Sequence, residues 1–182
     1  MFSIFWLSSA SCKQNNSYNI TMNVIHDYSH SLKQEQGIVC SSYGLDYSGK
    51  DKVYDGKIHT IALGYRLNKN LKLQAARKLC YEVVDGLLER LNENKKLRDY
   101  FFHFPLTYKD LEFHFTFKDE NKGSLKLNEV VSIHIDDNEI TYFIVDTEEP
   151  PKTTNGSETP NEIFSSFFST HRSITNKLPE KK

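Results

Sequence analysis

Between Asn70 and Asn92, the residues Ala76, Leu79, Cys80, Val83, Val84, Leu87, Leu88 and Leu91 recur at steps of three and four. That spacing lays them along one stripe of an α-helix, while Lys78, Glu82, Asp85, Glu89 and Arg90 fall elsewhere and can face water. A helix that is apolar along one side must bury that side, so the chain has to supply a covering layer. Asn70 stands where an N-cap is expected, and Glu93-Asn94 ends the run with turn-prone residues. Gly86 interrupts the stripe at a cost of about 1 kcal/mol against Ala. A close approach of the helix to a sheet would account for it.

The covering layer is legible on both sides of this helix. Before it, GIVCSSYGLDY is β-branched and aromatic, Ser48-Gly49-Lys50-Asp51 carries turn chemistry, and KIHTIALGYRL reads as the returning strand of a hairpin. In that second strand Ile58, Thr60, Ala62 and Gly64 share one face and His59, Ile61, Leu63 and Tyr65 the other. Both faces are partly apolar, which predicts a central strand. After the helix, a short helical stretch at Lys95–Tyr100 leads to Pro105, which stops any helix. Leu111, Phe113, Phe115 and Phe117 then alternate with Glu112, His114, Thr116 and Lys118, the pattern of a half-buried strand with an aromatic inner side. Beyond the loop DENKGS, Val131, Ile133 and Ile135 begin another strand, and Asp137-Asn138 turns it into EITYFIVDTEE. The expected fold class is α+β: an antiparallel sheet of about five strands in the order β-β-α-β-β-β, its neighbours joined mostly by hairpins, with one long amphipathic helix on one face. A chain of 182 residues accommodates one such domain with tails.

The tails divide the chain further. At the front, Phe2, Ile4, Phe5, Trp6 and Leu7 make a short apolar block that ends in Ser8-Ser9-Ala10-Ser11-Cys12. Small residues immediately before a cysteine resemble the lipobox of bacterial lipoproteins, with Ala10 and Ser11 at the matching positions. The resemblance implies cleavage before Cys12, acyl chains on its sulfur, and a place in the bacterial cell envelope with a lipid bilayer as partner. The body likewise resembles small α+β lipoproteins of bacterial envelopes, without pointing to a specific family. No Lys or Arg precedes the block, and a start further upstream would supply the positive segment a signal normally carries. Secretion after cleavage at Ala10, and a cytoplasmic protein with an apolar end, are the competing readings. The expected division is a signal segment over 1–11, a polar tether over 12–33, the domain over 34–149, and a largely disordered tail over 150–182. Within that tail PPKTTNGSETP is linker-like, and Ile163, Phe164, Phe167 and Phe168 would line one side of a short helix over 161–169, a candidate segment for a protein partner.

Chemistry-bearing motifs are sparse. A net charge of -1, with bases interleaved among acids, leaves no patch for a nucleic acid. GxGxxG, Walker, HExxH, CxxC and GxSxG patterns are all missing, so no cofactor, no metal and no catalytic residue is assigned. Three cysteines are an odd number; with Cys12 lipidated, Cys40 and Cys80 would remain as a pair able to form a disulfide. Cys40 is also the only candidate nucleophile, and His59, His114 and His134 on neighbouring strands could converge, so a small exported hydrolase is a competing function. His26 and His30, four apart, lie in a stretch without helical periodicity and read as solvated. The favoured reading is a binding domain for a small ligand or a protein, with Tyr43, His114, Thr116 and His134 projecting from the open side of the sheet.

Overall fold

Phe113, Phe115 and Phe117 sit at most 1% exposed beneath the helices, and burying each contributes about 1.5–3 kcal/mol, so this strand anchors the core. The computed structural model describes residues 8–47, 56–118, 126–136, 139–145 and 171–177, and for 8–17 and 171–177 the backbone alone. Among the described residues two α-helices, α1 (Ser8–Gln36) and α2 (Leu73–Glu93), accompany seven strands: β1 (Ile38–Asp46), β2 (Thr60–Leu67), β3 (Leu71–Lys72), β4 (Leu111–Phe117), β5 (Glu129–Asp136), β6 (Glu139–Val145) and β7 (His171–Lys177). They form one sheet in the order β1-β2-β4-β5-β6-β7, with β3 pairing the start of β5. The α+β class and the long helix packed on the sheet stand as the residues predict.

The sheet is mixed, where a purely antiparallel one was expected. β2 and β4 run parallel, Ile61 opposite Leu111 through Leu67 opposite Phe117. The reason is the helix between them: a chain that leaves one end of β2 and travels the length of α2 returns to start β4 from the same end it began β2. The return is pinned at three points. Asn92 donates its Nδ2 to the Leu106 carbonyl at 2.9 Å and accepts the Leu106 N–H at 2.6 Å. Asp110 accepts the Thr107 N–H at 2.7 Å, closing a capping box at the mouth of β4.

The largest departure from expectation is α1. The segment 12–33, expected as a polar tether, is helix within a single 29-residue element. Thr21, Met22, Ile25, Tyr28, Ser29 and Leu32 are buried, so from Thr21 onward this segment belongs to the body. Their spacing is helical, but the stripe is narrow and only four of its members are large and apolar. α2 begins at Leu73 with Lys72 as its N-cap, which caps without a side-chain bond, so Asn70 is not the cap. The body also extends past residue 149: His171–Lys177, expected within a disordered tail, pairs antiparallel with β6 from Glu139 opposite Lys177 to Val145 opposite His171. Unpaired backbone groups on the edge of β6 supply the reason, since a strand edge is satisfied by a further strand whatever its side chains. The turn at Asp137-Asn138 and the segment 161–169, with Ile163, Phe164, Phe167 and Phe168, lie outside the described residues.

Gly86 does mark a close approach, but to α1 and not to the sheet. A Cβ at Gly86 would lie 2.6 Å from Tyr28 Oη and 3.3 Å from its Cζ. The Tyr28 hydroxyl uses that space to donate to the Val83 carbonyl at 2.8 Å, and the Arg90 guanidinium lies 5.0 Å from the centre of its ring.

Candidate functional site

Both helices bury their apolar residues against the same side of the sheet, in one core with Ile61, Leu63, Tyr65, Phe113, Phe115, Ile133 and Ile135. The alternate positions of these strands form the opposite face. Register sorts them into cross-strand rows: Gly44, Ala62, Glu112, Asp136 and Glu139 in one, and Ser42, Gly64, His114, His134 and Thr141 in the next. On β1 and β2 these rows hold only small side chains, whereas on β4 and β5 they hold two carboxylates and two imidazoles. The step between them leaves a concavity of about 410 Å³, lined by Ser42, Gly44, Ala62, Glu112, His114, His134 and Asp136.

Gly64 lies in register between Ser42 and His114, beside the shallow half. A Cβ there would collide with the Ser42 hydroxyl and come within 2.9 Å of the Ser41 hydroxyl. Both serines crowd over it because β1 carries a bulge between Cys40 and Ser42, where the pairing with β2 shifts register. On the raised half, the His114 and His134 rings lie 4.2 Å apart at 42°, and the Phe143 ring meets His134 edge-on at 5.1 Å. Burial of the inner sides of both rings lowers their pKa values below the usual histidine range, and His114 lowers that of His134 further. Both imidazoles are therefore neutral near pH 7, and each offers a nitrogen lone pair. Together with Glu112 and Asp136 they make the concavity rich in acceptors, and among the described residues no Lys or Arg lines it.

Of the four residues expected to project from the open side, His114 and His134 face each other there. Thr116 occupies the next row and turns its hydroxyl inward, donating to the Tyr65 carbonyl at 3.3 Å. Tyr43 borders the concavity but sends its ring to the other face: it pairs with Leu63, and the ring packs edge-on against His26 of α1 at 5.3 Å. The bulge is the cause, because one extra residue on β1 reverses the alternation beyond it. Neighbouring residues that earned no role in the sequence, Ser42, Gly44, Ala62, Glu112 and Asp136, complete the concavity. Their signal was present as the small outward side chains of β2 facing the polar alternation of β4.

The competing chemistries fare differently. His59 does not join the other two histidines; it stacks on Phe102 at 4.3 Å beyond the start of β2. His26 and His30 are exposed, one turn apart on α1. Cys40 and Cys80 are both free thiols, so the disulfide that the cysteine count allowed is not formed. Cys80 lies fully buried on the α2 stripe, whereas Cys40 sits on β1 under α1, where Ser29 bonds its sulfur and it donates to the Ser42 carbonyl at 3.5 Å. Burial raises the Cys40 thiol pKa, so the thiolate that a Cys/His hydrolase requires is disfavoured. Burial pushes Cys80 up to about 12. Among the described residues, no group of three or more His, Cys, Asp and Glu side chains gathers to hold a metal ion, and no helix is long and apolar enough to cross a membrane. No family model, curated protein or solved structure matches the chain.

Proposed function

We propose that this protein is a binding module of the bacterial envelope, held to a lipid bilayer through acyl chains on Cys12, which captures a small cationic or donor-rich ligand on the open face of its sheet. The observation that carries the binding half is the concavity, whose imidazoles, carboxylates and serine hydroxyl present acceptors with no Lys or Arg among its described lining residues. A complementary ligand brings positive charge or N–H and O–H groups. The anchoring half rests on the lipobox-like run before Cys12. Cys12 lies in α1, nine residues before Thr21, the first buried residue among those whose side chains are described, so the helix between them would set that point about 13 Å from the anchor.

Two experiments test the halves separately. Intact-mass analysis of the protein from its native host should find residues 1–11 missing and acyl mass on Cys12; a soluble chain that keeps Met1 refutes the anchor. Backbone NMR shifts recorded against a panel of aliphatic amines should move Gly44, Gly64, His114 and His134, and Asp136→Asn with Glu112→Gln should weaken the effect. Unmoved resonances on this face across the panel refute the ligand site.

A further inference from the structure

We propose that His114 and His134 form a cross-strand clamp for a divalent late transition-metal ion, such as Cu²⁺ or Zn²⁺. This deepens the ligand reading above and rests on the same concavity. Antiparallel neighbours in register present their side chains about 4.5–5.5 Å apart at Cβ, so the sheet itself holds the two imidazoles as a pair. A tetrahedral ion with metal–nitrogen bonds of about 2.0–2.1 Å needs its two nitrogens roughly 3.3 Å apart. Ring centroids 4.2 Å apart bring the facing ring edges into that range with a rotation about χ2.

The surroundings favour the ion over a second histidine contact of another kind. Imidazole is a preferred ligand of copper, nickel and zinc, and binds through the neutral form. Glu112 and Asp136 stand two residues away on the same strands and face, one beside each histidine, where a carboxylate supplies a further oxygen and offsets the charge of the ion. The three-ligand grouping is not assembled in advance among the described residues, so the clamp is a two-nitrogen site completed by carboxylate rotation or by water. The other imidazole pair, His26 and His30 on α1, is the natural competitor for a metal. His26 is committed edge-on to Tyr43.

The test uses the full chain without an affinity tag, titrated with CuSO₄ or ZnCl₂ alone at pH 7.5 by calorimetry. The expected result is one ion per chain, with affinity falling at least about tenfold in His114→Gln and in His134→Gln and unchanged in His30→Gln, a tenfold loss being about 1.4 kcal/mol. Paramagnetic broadening by Cu²⁺ in the unaltered protein provides a readout independent of any variant. It should centre on Gly64, His114 and His134. Broadening centred on His26 and His30, or equal affinity in all three variants, overturns the clamp. So does a chain that takes up neither ion. If amines shift the concavity while neither ion binds, the clamp alone fails; if neither probe reaches this face, the reading beneath it fails as well.

Discussion

Replacing Gly86 by Ala separates two opposed terms whose sizes can be set from the structure. In an exposed helix interior the change gains about 1 kcal/mol through helix propensity. Here the new methyl lies 2.6 Å from Tyr28 Oη and 3.3 Å from Cζ, distances that the ring must relieve by moving. Tyr28 is 6% exposed and packed beneath Arg90, so it cannot swing into solvent. Displacing it stretches the 2.8 Å bond to the Val83 carbonyl and leaves a buried hydroxyl poorly partnered, at about 1–3 kcal/mol. Overpacking adds about 1–3 kcal/mol. The cost exceeds the gain, and Gly86→Ala should destabilise the protein by about 2 kcal/mol. Tyr28→Phe removes the obstructing oxygen and should itself cost about 1 kcal/mol. In that background Gly86→Ala should be neutral or stabilising by up to about 1 kcal/mol, giving a coupling near 2 kcal/mol between the two sites. Urea unfolding followed by circular dichroism on the four proteins of the cycle measures it. If Gly86→Ala stabilises the parent chain, or if the two changes add without coupling, then the docking of α1 on α2 described above is wrong.

Three shorter tests bear on the other features. Because the folded-state pKa values of His114 and His134 lie below the unfolded value near 6.5, the unfolded chain takes up more protons as pH falls through and below that point. Stability should therefore decline from pH 7 toward pH 5, and the urea midpoint of a His114→Gln/His134→Gln protein should fall less over the same interval. In a Cys12→Ser chain, a thiol reagent at pH 7.5 should label Cys40 slowly and Cys80 only after unfolding, with no gain in reactive thiols on reduction; a gain would reveal the disulfide that the free thiols exclude. Gly64→Ala should cost about 1 kcal/mol, the low end for overpacking, since a serine hydroxyl can rotate away, and Ser42→Ala should recover part of it in the same unfolding assay.

What the residues disclosed in advance followed from periodicity. Seven of the eight stripe positions of α2, all but the partly buried Leu79, are buried as their spacing requires. The alternation of Leu111 to Phe117 placed His114 on the outer face without any knowledge of its neighbours. Features that break or dilute periodicity stayed hidden. Bulges in β1 and β5 reverse the alternation within a strand, which sent Tyr43 to the wrong face and made Val130 the buried residue where Val131 was expected. α1 buries Met22, Ile25, Tyr28 and Leu32 in an otherwise polar stretch, too narrow a stripe to stand out. The parallel junction between β2 and β4 has no local signature, because each strand reads the same in either direction. Gly86 was visible as an anomaly, but its partner lies 58 positions away at Tyr28.

That hidden junction is also what builds the candidate site. Had β2 and β4 been joined by a hairpin, their register would be set by a turn at one end. Instead α2 intervenes, and the Asn92–Leu106 bonds with the Thr107–Asp110 capping box fix where β4 begins beside β2. One residue of slip in β4 would turn His114 and Glu112 into the core and Phe113 and Phe115 outward. Three phenylalanines, each stabilising the core by about 1.5–3 kcal/mol, oppose such a slip, so the outward row is held as firmly as the inward one. Gly64 opposite His114, and His114 opposite His134, then follow from the same register. The concavity accordingly rests on β1, β2, β4 and β5 and not on loops, so its acceptors are positioned before any ligand arrives.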